Sequence, residues 1–332
     1  MSSMGDVFHT FPALSDALNK FPNLEVDWIV ESSFAEIPNW HPAVRKVFAI
    51  ELRQWRKSPF KNRGKIKAFF HKVNTENYDL VIDAQGLLKS AWVVGKINCK
   101  SKVGFDWSSA RESFASLWYT KKISVNKNQH AIWRIRELFY KALSYDKPSL
   151  EKISYLLATD SWQKIVIENS LAPNEKYAVF LHGTTWETKY WPEEYWVELA
   201  NKVNKQGVKV ILPWGNAEEK DRAKRILTKI HQGGVPESML SLNEMAKLLK
   251  FAEFVVSVDT GLSHVAAALD VKMVVLYRVT DPVKIGASGN LVTRLVSPEA
   301  PNYLKNFEST GQEKNSLVNL AVNDVWKALE NE

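Results

Sequence analysis

The residues best suited by type and spacing to do chemistry are Asp259, Thr260 and Gly261, with His264 four positions beyond Thr260. They follow the apolar, β-branched run Phe254 to Val258, and from Leu262 the apolar residues Val265, Ala266 and Leu269 recur at helical spacing. That pattern is a strand, a tight turn and a helix. A helix start offers unpaired N–H donors and a positive dipole end, which suit an anion and a phosphate above all. The Thr260 hydroxyl adds a donor, and His264 shares its helix face. A second group, Thr184, Thr185 and Lys189, follows the apolar run Tyr177 to Leu181. Hydroxyls and an ammonium suit a diphosphate, although threonines that merely satisfy their own turn account equally well for the loop taken alone.

A third loop, Leu212-Pro213-Trp214-Gly215-Asn216, precedes a charged helix carrying Glu218 and Glu219. A carboxylate there either accepts from ribose hydroxyls or complements the helix dipole. Tyr277 to Pro282 forms a fourth loop of the same kind. Loops at the carboxyl ends of parallel strands share one ligand edge, so the set points to a nucleotide diphosphate. Neither G-x-x-x-x-G-K-[ST] nor G-x-G-x-x-G is present, which weakens P-loop and dinucleotide readings. No Asp-x-Asp pair is present either, so no metal or other cofactor is expected.

The amino-terminal half offers different groups. Asp6 stands at a helix start, where a carboxylate is stabilised as the anion; an ordinary first-turn acid is the simpler reading of it in isolation. Asp83-Ala84-Gln85-Gly86 is a polar loop, with Lys89 one turn into the following helix. Arg53, Arg56, Lys57, Lys61, Arg63, Lys65 and Lys67 run together with Trp55 and Phe60 and without an acid. A solvated loop is the bland account. An anionic membrane surface is the functional one, at about 1 kcal/mol per basic residue. No RNA- or DNA-binding signature accompanies the charge.

These groups need elements to hold them. At 332 residues the chain is long enough for two domains, with 45% hydrophobic and 24% charged residues. Residues 1–150 carry 23 Lys/Arg against 14 Asp/Glu, +9, and the remainder 21 against 23, −2, which together make the net +7. A single cysteine, Cys99, excludes an internal disulfide and fits a reducing cytoplasm. No run reaches membrane-span length and no signal-peptide pattern opens the chain. Strands are expected at 24–30, 44–50, 78–83 and 102–105, then at 177–181, 208–212, 254–258 and 273–277, alternating with helices. Helices are expected at 64–76, 87–97, 110–119 and 130–143 in the first series, and near 193–205, 217–230, 243–251 and 262–269 in the second. The alternation predicts two doubly wound parallel domains, 1–165 and 174–332, with a last helix near 316–329 as a candidate to pack back on the first. The opening helix is expected to stop or kink at Pro12. Being a loop–helix unit, it also asks for a preceding strand, which either lies upstream of Met1 or is lacking from the sheet.

Several of these segments together resemble the lipopolysaccharide heptosyltransferases of glycosyltransferase family 9. They are Ser2-Ser3-Met4-Gly5-Asp6 through Leu14, Asp83-Ala84-Gln85-Gly86-Leu87-Leu88-Lys89-Ser90, Lys189-Tyr190-Trp191-Pro192-Glu193-Glu194, Leu212-Pro213-Trp214-Gly215 and Ser257-Val258-Asp259-Thr260-Gly261-Leu262-Ser263-His264. The resemblance implies the GT-B architecture, two Rossmann-like domains facing across a cleft. It implies inverting transfer of L-glycero-D-manno-heptose from ADP-heptose to the inner Kdo of Kdo2-lipid A, at the cytoplasmic face of the inner membrane. It implies that Asp6 is the general base. Thr184, Thr185, Lys189, Asp259, Thr260, Gly261 and His264 would hold the diphosphate and sugar, Glu219 the ribose, and Arg53, Arg56, Lys57 and Arg111 would meet the anionic acceptor. The family more often has Gly-Pro where this chain has Arg278-Val279, so no donor contact is assigned to that loop. The sibling enzyme that adds the second heptose and a noncatalytic basic module on membrane or nucleic acid are the competing readings.

Overall fold

A computed structural model describes residues 3–149, 152–186, 189–298 and 317–330. The chain divides into two units, Met1–Ala158 and Thr159–Glu332.

In the first unit, helix α1 (Met4–Lys20) is capped by Ser3, whose hydroxyl accepts from the Asp6 N–H at 3.3 Å. Of the two outcomes expected at Pro12, a stop is excluded, since α1 continues to Lys20. Burial explains this, because Phe8, Phe11 and Leu14 are at most 2% exposed and their packing offsets the hydrogen bond that Pro12 lacks. Then come β1 (Val26–Glu31), β2 (Val44–Ile50), α2 (Leu52–Lys57), α3 (Arg63–Val73), β3 (Val81–Ile82), α4 (Leu88–Gly95), β4 (Lys102–Phe105), β5 (Lys121–Ile123) and α5 (Ala131–Leu143). Residues 110–119, expected as a helix, form a short 3-10 segment at Ser113–Trp118. The basic stretch, for which a solvated loop was the bland account, builds α2 and the start of α3, the latter agreeing with the helix expected at 64–76. The strand expected over 78–83 keeps only Val81–Ile82 in a ladder.

The strands of this unit form two parallel sheets, β1–β2 and β3–β4–β5. A cavity of ≈ 180 Å³ lies against both, lined by Trp28 and Ile29 of β1, by Val81 and Ile82 of β3, and by Val7 and Leu14 of α1. α1 packs on α5, where Arg136 grips Asp16 with Nε–Oδ2 2.5 Å and Nη2–Oδ1 3.0 Å. Burial pushes the Asp16 carboxyl up, and the two-pronged guanidinium pulls it back.

In the second unit β6 (Tyr177–Leu181) leads through α6 (Glu193–Asn204), β7 (Lys209–Ile211), α7 (Ala217–Leu227), β8 (Gly233–Gly234) and α8 (Leu242–Lys250) to β9 (Val255–Val258). Helix α9 (Gly261–Ala268), β10 (Met273–Tyr277), α10 (Pro282–Ile285), β11 (Val292–Val296) and α11 (Val322–Glu330) complete it. The six strands lie in the order β8-β7-β6-β9-β10-β11, every pair parallel. Numbered within the unit this is 3-2-1-4-5-6, the Rossmann order, which reverses direction between β6 and β9. Strands β6, β9 and β10 are buried at every position, which is why they read as unbroken apolar runs rather than alternating ones. Helix α11 packs on α6 and β10, placing Val325 and Leu329 in the core of this unit.

Candidate functional site

The reversal between β6 and β9 dictates where a ligand goes. Neighbouring connections leave to opposite faces there, so the carboxyl ends of the two strands open a crevice. The loop after β6 carries Thr184, Thr185 and Lys189, and the turn after β9 carries Asp259, Thr260 and Gly261. The structure brings these into contact. Lys189 Nζ lies 2.6 Å from Asp259 Oδ2, with both side chains largely buried. Thr184 Oγ1 donates to the Asp259 carbonyl at 3.1 Å, stapling the two loops. Thr280, in the loop after β10, donates to Asp259 Oδ2 at 2.5 Å. Three loops from adjacent strands therefore converge on one carboxylate.

Thr260 is the N-cap of α9, in extended backbone, and its side chain makes no capping bond to the helix it starts. The first N–H groups of such a helix are donors that favour an anion, although that of Ser263 already donates to the Thr260 carbonyl at 3.2 Å. His264 lies one turn into α9 and is buried. Thr185 is exposed at the loop tip. Glu219, in the first turn of α7, accepts from the Gly215 N–H at 2.7 Å. Its carboxyl carbon is also 2.4 Å from where a Cβ on Gly183 would stand, so only glycine lets the first loop approach it this closely. Glu219 thereby ties the loop after β7 to the loop after β6.

Beneath these loops His182 is fully buried, and neither ring nitrogen has a partner within hydrogen-bond geometry. Burial first, then the Arg222 guanidinium, push its pKa down to about 4, so the ring is neutral. Arg222 itself stacks 3.4 Å from the Tyr190 ring centroid, fixing the end of the 182–190 loop.

In the first unit Asp6 lies in the first turn of α1, and three side chains aim its carboxylate. Arg111 Nη2 donates to Oδ1 at 3.0 Å, Gln85 Nε2 to Oδ2 at 3.3 Å and Ser3 Oγ to Oδ2 at 3.0 Å. Arg111, expected only as an acceptor contact, is an ion-pair partner of Asp6. Gln85 is positioned in turn by Asp83, whose Oδ1 accepts from the Gln85 and Gly86 N–H groups at 2.8 and 3.2 Å. Its Oδ2 accepts from Tyr119 at 2.7 Å. Burial and the Asp83 charge hold the Tyr119 phenol far above its ordinary range. Lys89 is near enough to Asp6, Arg53 and Arg56 to feel all three, and burial is the main cause lowering its pKa. Arg53, Arg56 and Lys57 are exposed along α2.

Sequence reasoning missed the roles of Thr280, Gln85 and Tyr119. A Thr-Asp-Pro helix start held the signal for the loop of Thr280, since Asp281 caps α10 by accepting from Val283 N–H at 3.0 Å. Tyr119 carried no local signal.

The chain matches the family described as glycosyltransferase family 9 (heptosyltransferase) over residues 66–316. It is 46% identical to lipopolysaccharide heptosyltransferase 1 of Salmonella typhimurium across 93% of this chain and 95% of that one. It is also 46% identical to the enzyme of the same description from Escherichia coli K12, across 87% and 89%. Among solved structures it is similar to E. coli heptosyltransferase WaaC with ADP, at a TM-score of 0.88 and 42% identity, covering 99% of this chain and 97% of the other. The same enzyme with ADP-2-deoxy-2-fluoro heptose gives a TM-score of 0.83 at 39% identity, covering 99% and 97%. With two Rossmann-like units of the GT-B type, a switch-point crevice lined by hydroxyls and a lysine, and these likenesses along nearly its whole length, the chain belongs to glycosyltransferase family 9, the heptosyltransferases.

Proposed function

We propose that this heptosyltransferase moves L-glycero-D-manno-heptose from ADP-heptose to the inner Kdo of Kdo2-lipid A, with inversion at the anomeric carbon. The observation that carries this reading is the convergence of Lys189, Thr184 and Thr280 on Asp259 at the switch point of the second unit. It stands in a chain 46% identical to lipopolysaccharide heptosyltransferase 1 of Salmonella typhimurium. The likeness to E. coli heptosyltransferase WaaC with ADP, at 42% identity, supports the nucleotide half of the donor.

In the reaction, the oxygen of a Kdo hydroxyl attacks the anomeric carbon from the face opposite ADP. The bond from that carbon to the phosphate oxygen breaks, and ADP leaves with the electron pair. Asp6 takes the hydroxyl proton, helped by Arg111 and Gln85, which fix the direction of its lone pairs. Charge developing on the departing diphosphate is met by Lys189, by the hydroxyls of Thr184, Thr185 and Thr260, and by the amino end of α9 from Gly261 onward. These groups need little reorganisation at the moment of reaction. His264 lines the sugar side of the same turn, and Glu219 accepts from the ribose. Arg53, Arg56, Lys57 and Arg111 meet the carboxylates and phosphates of the acceptor. The enzyme works from the cytoplasmic face of the inner membrane, and no described helix is long and apolar enough to cross a bilayer.

Incubation with ADP-heptose and, separately, Kdo2-lipid A or its monoheptosylated form tests the proposal, with products weighed by mass spectrometry. A mass gain of one heptose on the first acceptor alone is expected. A gain on the monoheptosylated acceptor alone would assign the chain to the second step instead.

A further inference from the structure

The loop that carries Thr184, Thr185 and Lys189 is held from two sides, of which the transfer reaction uses one. On the side of β9 the ties run to Asp259, from Lys189 Nζ at 2.6 Å and from Thr184 Oγ1 at 3.1 Å. On the other side stands α7. Arg222 lies three residues after Glu219 in this helix, so the two side chains share a face. Its guanidinium carbon sits 3.4 Å from the centroid of the Tyr190 ring. Its Nη1 donates to the His182 carbonyl in a long bond of 3.5 Å. His182 opens the loop after β6, and Tyr190 directly follows Lys189. One side chain thus touches both ends of the donor loop, and Glu219 closes on Gly183 beside it. Burial pushes the Tyr190 phenol up, Arg222 opposes this, and Glu218 and Glu219 add to it, so the ring stands in the field of the amino-terminal half of α7.

Stability alone gives little reason for this placement. The Arg222 side chain is 12% exposed, its Nε makes no hydrogen bond, and its ion contact, from Nε to Glu193 Oε1, is 3.6 Å long. Glu193 is gripped more closely by Arg225, at 2.6 and 3.1 Å. An apolar side chain of similar volume would fill the space without the desolvation cost of a guanidinium. It would not lie flat on an aromatic ring while an in-plane N–H meets a carbonyl, which fixes ring and loop end together. The use of such a fixture follows from Lys189. An ammonium that turns to a diphosphate gives up part of its bond to Asp259, so the tie on that side slackens as the ligand arrives. The stack on Tyr190, one residue along, is untouched by the exchange. We propose that Arg222 is a positioning residue for Lys189, holding the loop from α7 so that the ammonium stays at the diphosphate once Asp259 has released it. Arg222 meets no substrate atom and acts through Tyr190 and the backbone of Lys189. The inference deepens the transferase reading and rests on it for the identity of the ligand.

Calorimetry with ADP on the full chain and hydrogen exchange of the Lys189 amide test this. That amide donates to the Trp186 carbonyl at 2.9 Å, so its protection reports whether the loop end is held when no ligand is present. Arg222→Met should lower the protection and weaken ADP binding about tenfold. Tyr190→Leu removes the ring from the other side of the contact and should do the same, so the test does not hang on the folding of one variant. Arg222→Lys keeps the charge and loses the flat stack, so it should restore neither the protection nor the affinity. The decisive measurement is a double variant. With Lys189→Ala already in place, Arg222→Met should weaken ADP no further, because its effect runs through that lysine. Additive losses would mean that Arg222 meets a phosphate itself or supports the whole site, and would overturn the proposal. Parent-like ADP affinity in either single variant, or full recovery in Arg222→Lys, would overturn it too. Unchanged protection of the Lys189 amide in Arg222→Met would exclude the clamp whatever ADP does. A parent that fails to bind ADP, with the amide protection still dependent on Arg222, would count against the transferase reading and leave the positioning of Lys189 standing.

Discussion

The two units solve the same problem, holding polar groups at the end of a sheet, by different means. In the second unit six parallel strands make one continuous sheet, and the loops carrying Thr184 and Asp259 leave adjacent buried strands on either side of a single reversal. Backbone geometry does most of the placing, and a few short bonds to Asp259 finish it. In the first unit the strands form separate two- and three-stranded sheets, and Asp6 hangs on side chains recruited from far along the chain. Gln85 is 79 positions away and Arg111 is 105 away. The proposed diphosphate site is thus written largely into strand order, because N–H groups at a helix start recognise phosphate whatever their side chains. A positioned base cannot, because proton transfer needs one oxygen held within hydrogen-bond reach of one hydroxyl.

The sharpest way to break this contrast is at Asp6. Asp6→Asn keeps the shape and removes the proposed base, so transfer should fall by about 10²–10⁴ while ADP affinity, measured by calorimetry, stays as in the parent. Turnover near the parent level would remove Asp6 from the mechanism, and with it the division of labour between the units.

Acid offers a comparison in which the units should behave alike. Each holds a histidine whose pKa burial has lowered to about 4, His41 in the first and His182 in the second. The unfolded chain takes up these protons as pH falls below about 6.5 and the folded chain does not until about 4. Stability is therefore complete above pH 6.5 and is lost between 6.5 and 4, on the order of 3 kcal/mol for each ring. His41 has more to lose structurally. Its Nδ1 accepts from the Ala43 N–H at 3.2 Å, which assigns the proton to Nε2, 3.2 Å from Ser15 Oγ. Thermal unfolding followed at pH 7 and pH 5 should show the loss. His182→Asn should flatten the dependence, and an unchanged slope in that variant would mean that its ring is protonated in the fold.

At Lys189 the donor side can be weakened alone. Lys189→Ala removes a charge-assisted bond and leaves Asp259 with Thr280 as its side-chain donor, so ADP binding should weaken by about 1.5–3 kcal/mol, or roughly 10–100-fold. If transfer fell while ADP bound normally, the lysine would act only in the transition state. The smallest effect is expected at Tyr119. Tyr119→Phe strips one donor from buried Asp83 and loosens the loop that carries Gln85, costing about 1–3 kcal/mol of stability. Transfer should fall modestly with ADP affinity untouched, and a fall in ADP affinity would show that the loop serves more than Asp6.

Local pattern carried most of the element boundaries where burial was complete. Tyr177–Leu181, Met273–Tyr277 and Lys102–Phe105 appear where the apolar runs place them. Two edge strands were invisible for the converse reason. Lys121–Ile123 carries two lysines because it flanks solvent, and Gly233–Gly234 has no side chains with which to announce a strand. Within the basic stretch α3 was legible in its spacing and α2 was not, because charge masked the latter, although Leu52 and Trp55 bury one face of it.

By themselves the residues determined that strands would alternate with helices, that hydroxyls, a lysine and a carboxylate would follow buried strands, and that a carboxylate would open the first helix. Those features are local, set by backbone preference and by periodicity within a few turns. Only the tertiary structure decided that β6 would lie beside β9 and so make one crevice of two loops 70 residues apart, joined where Lys189 meets Asp259. It alone gave Asp6 its partners. Strand order and side-chain pairing depend on which distant segments bury each other best, and no window of sequence contains both halves of such a contact.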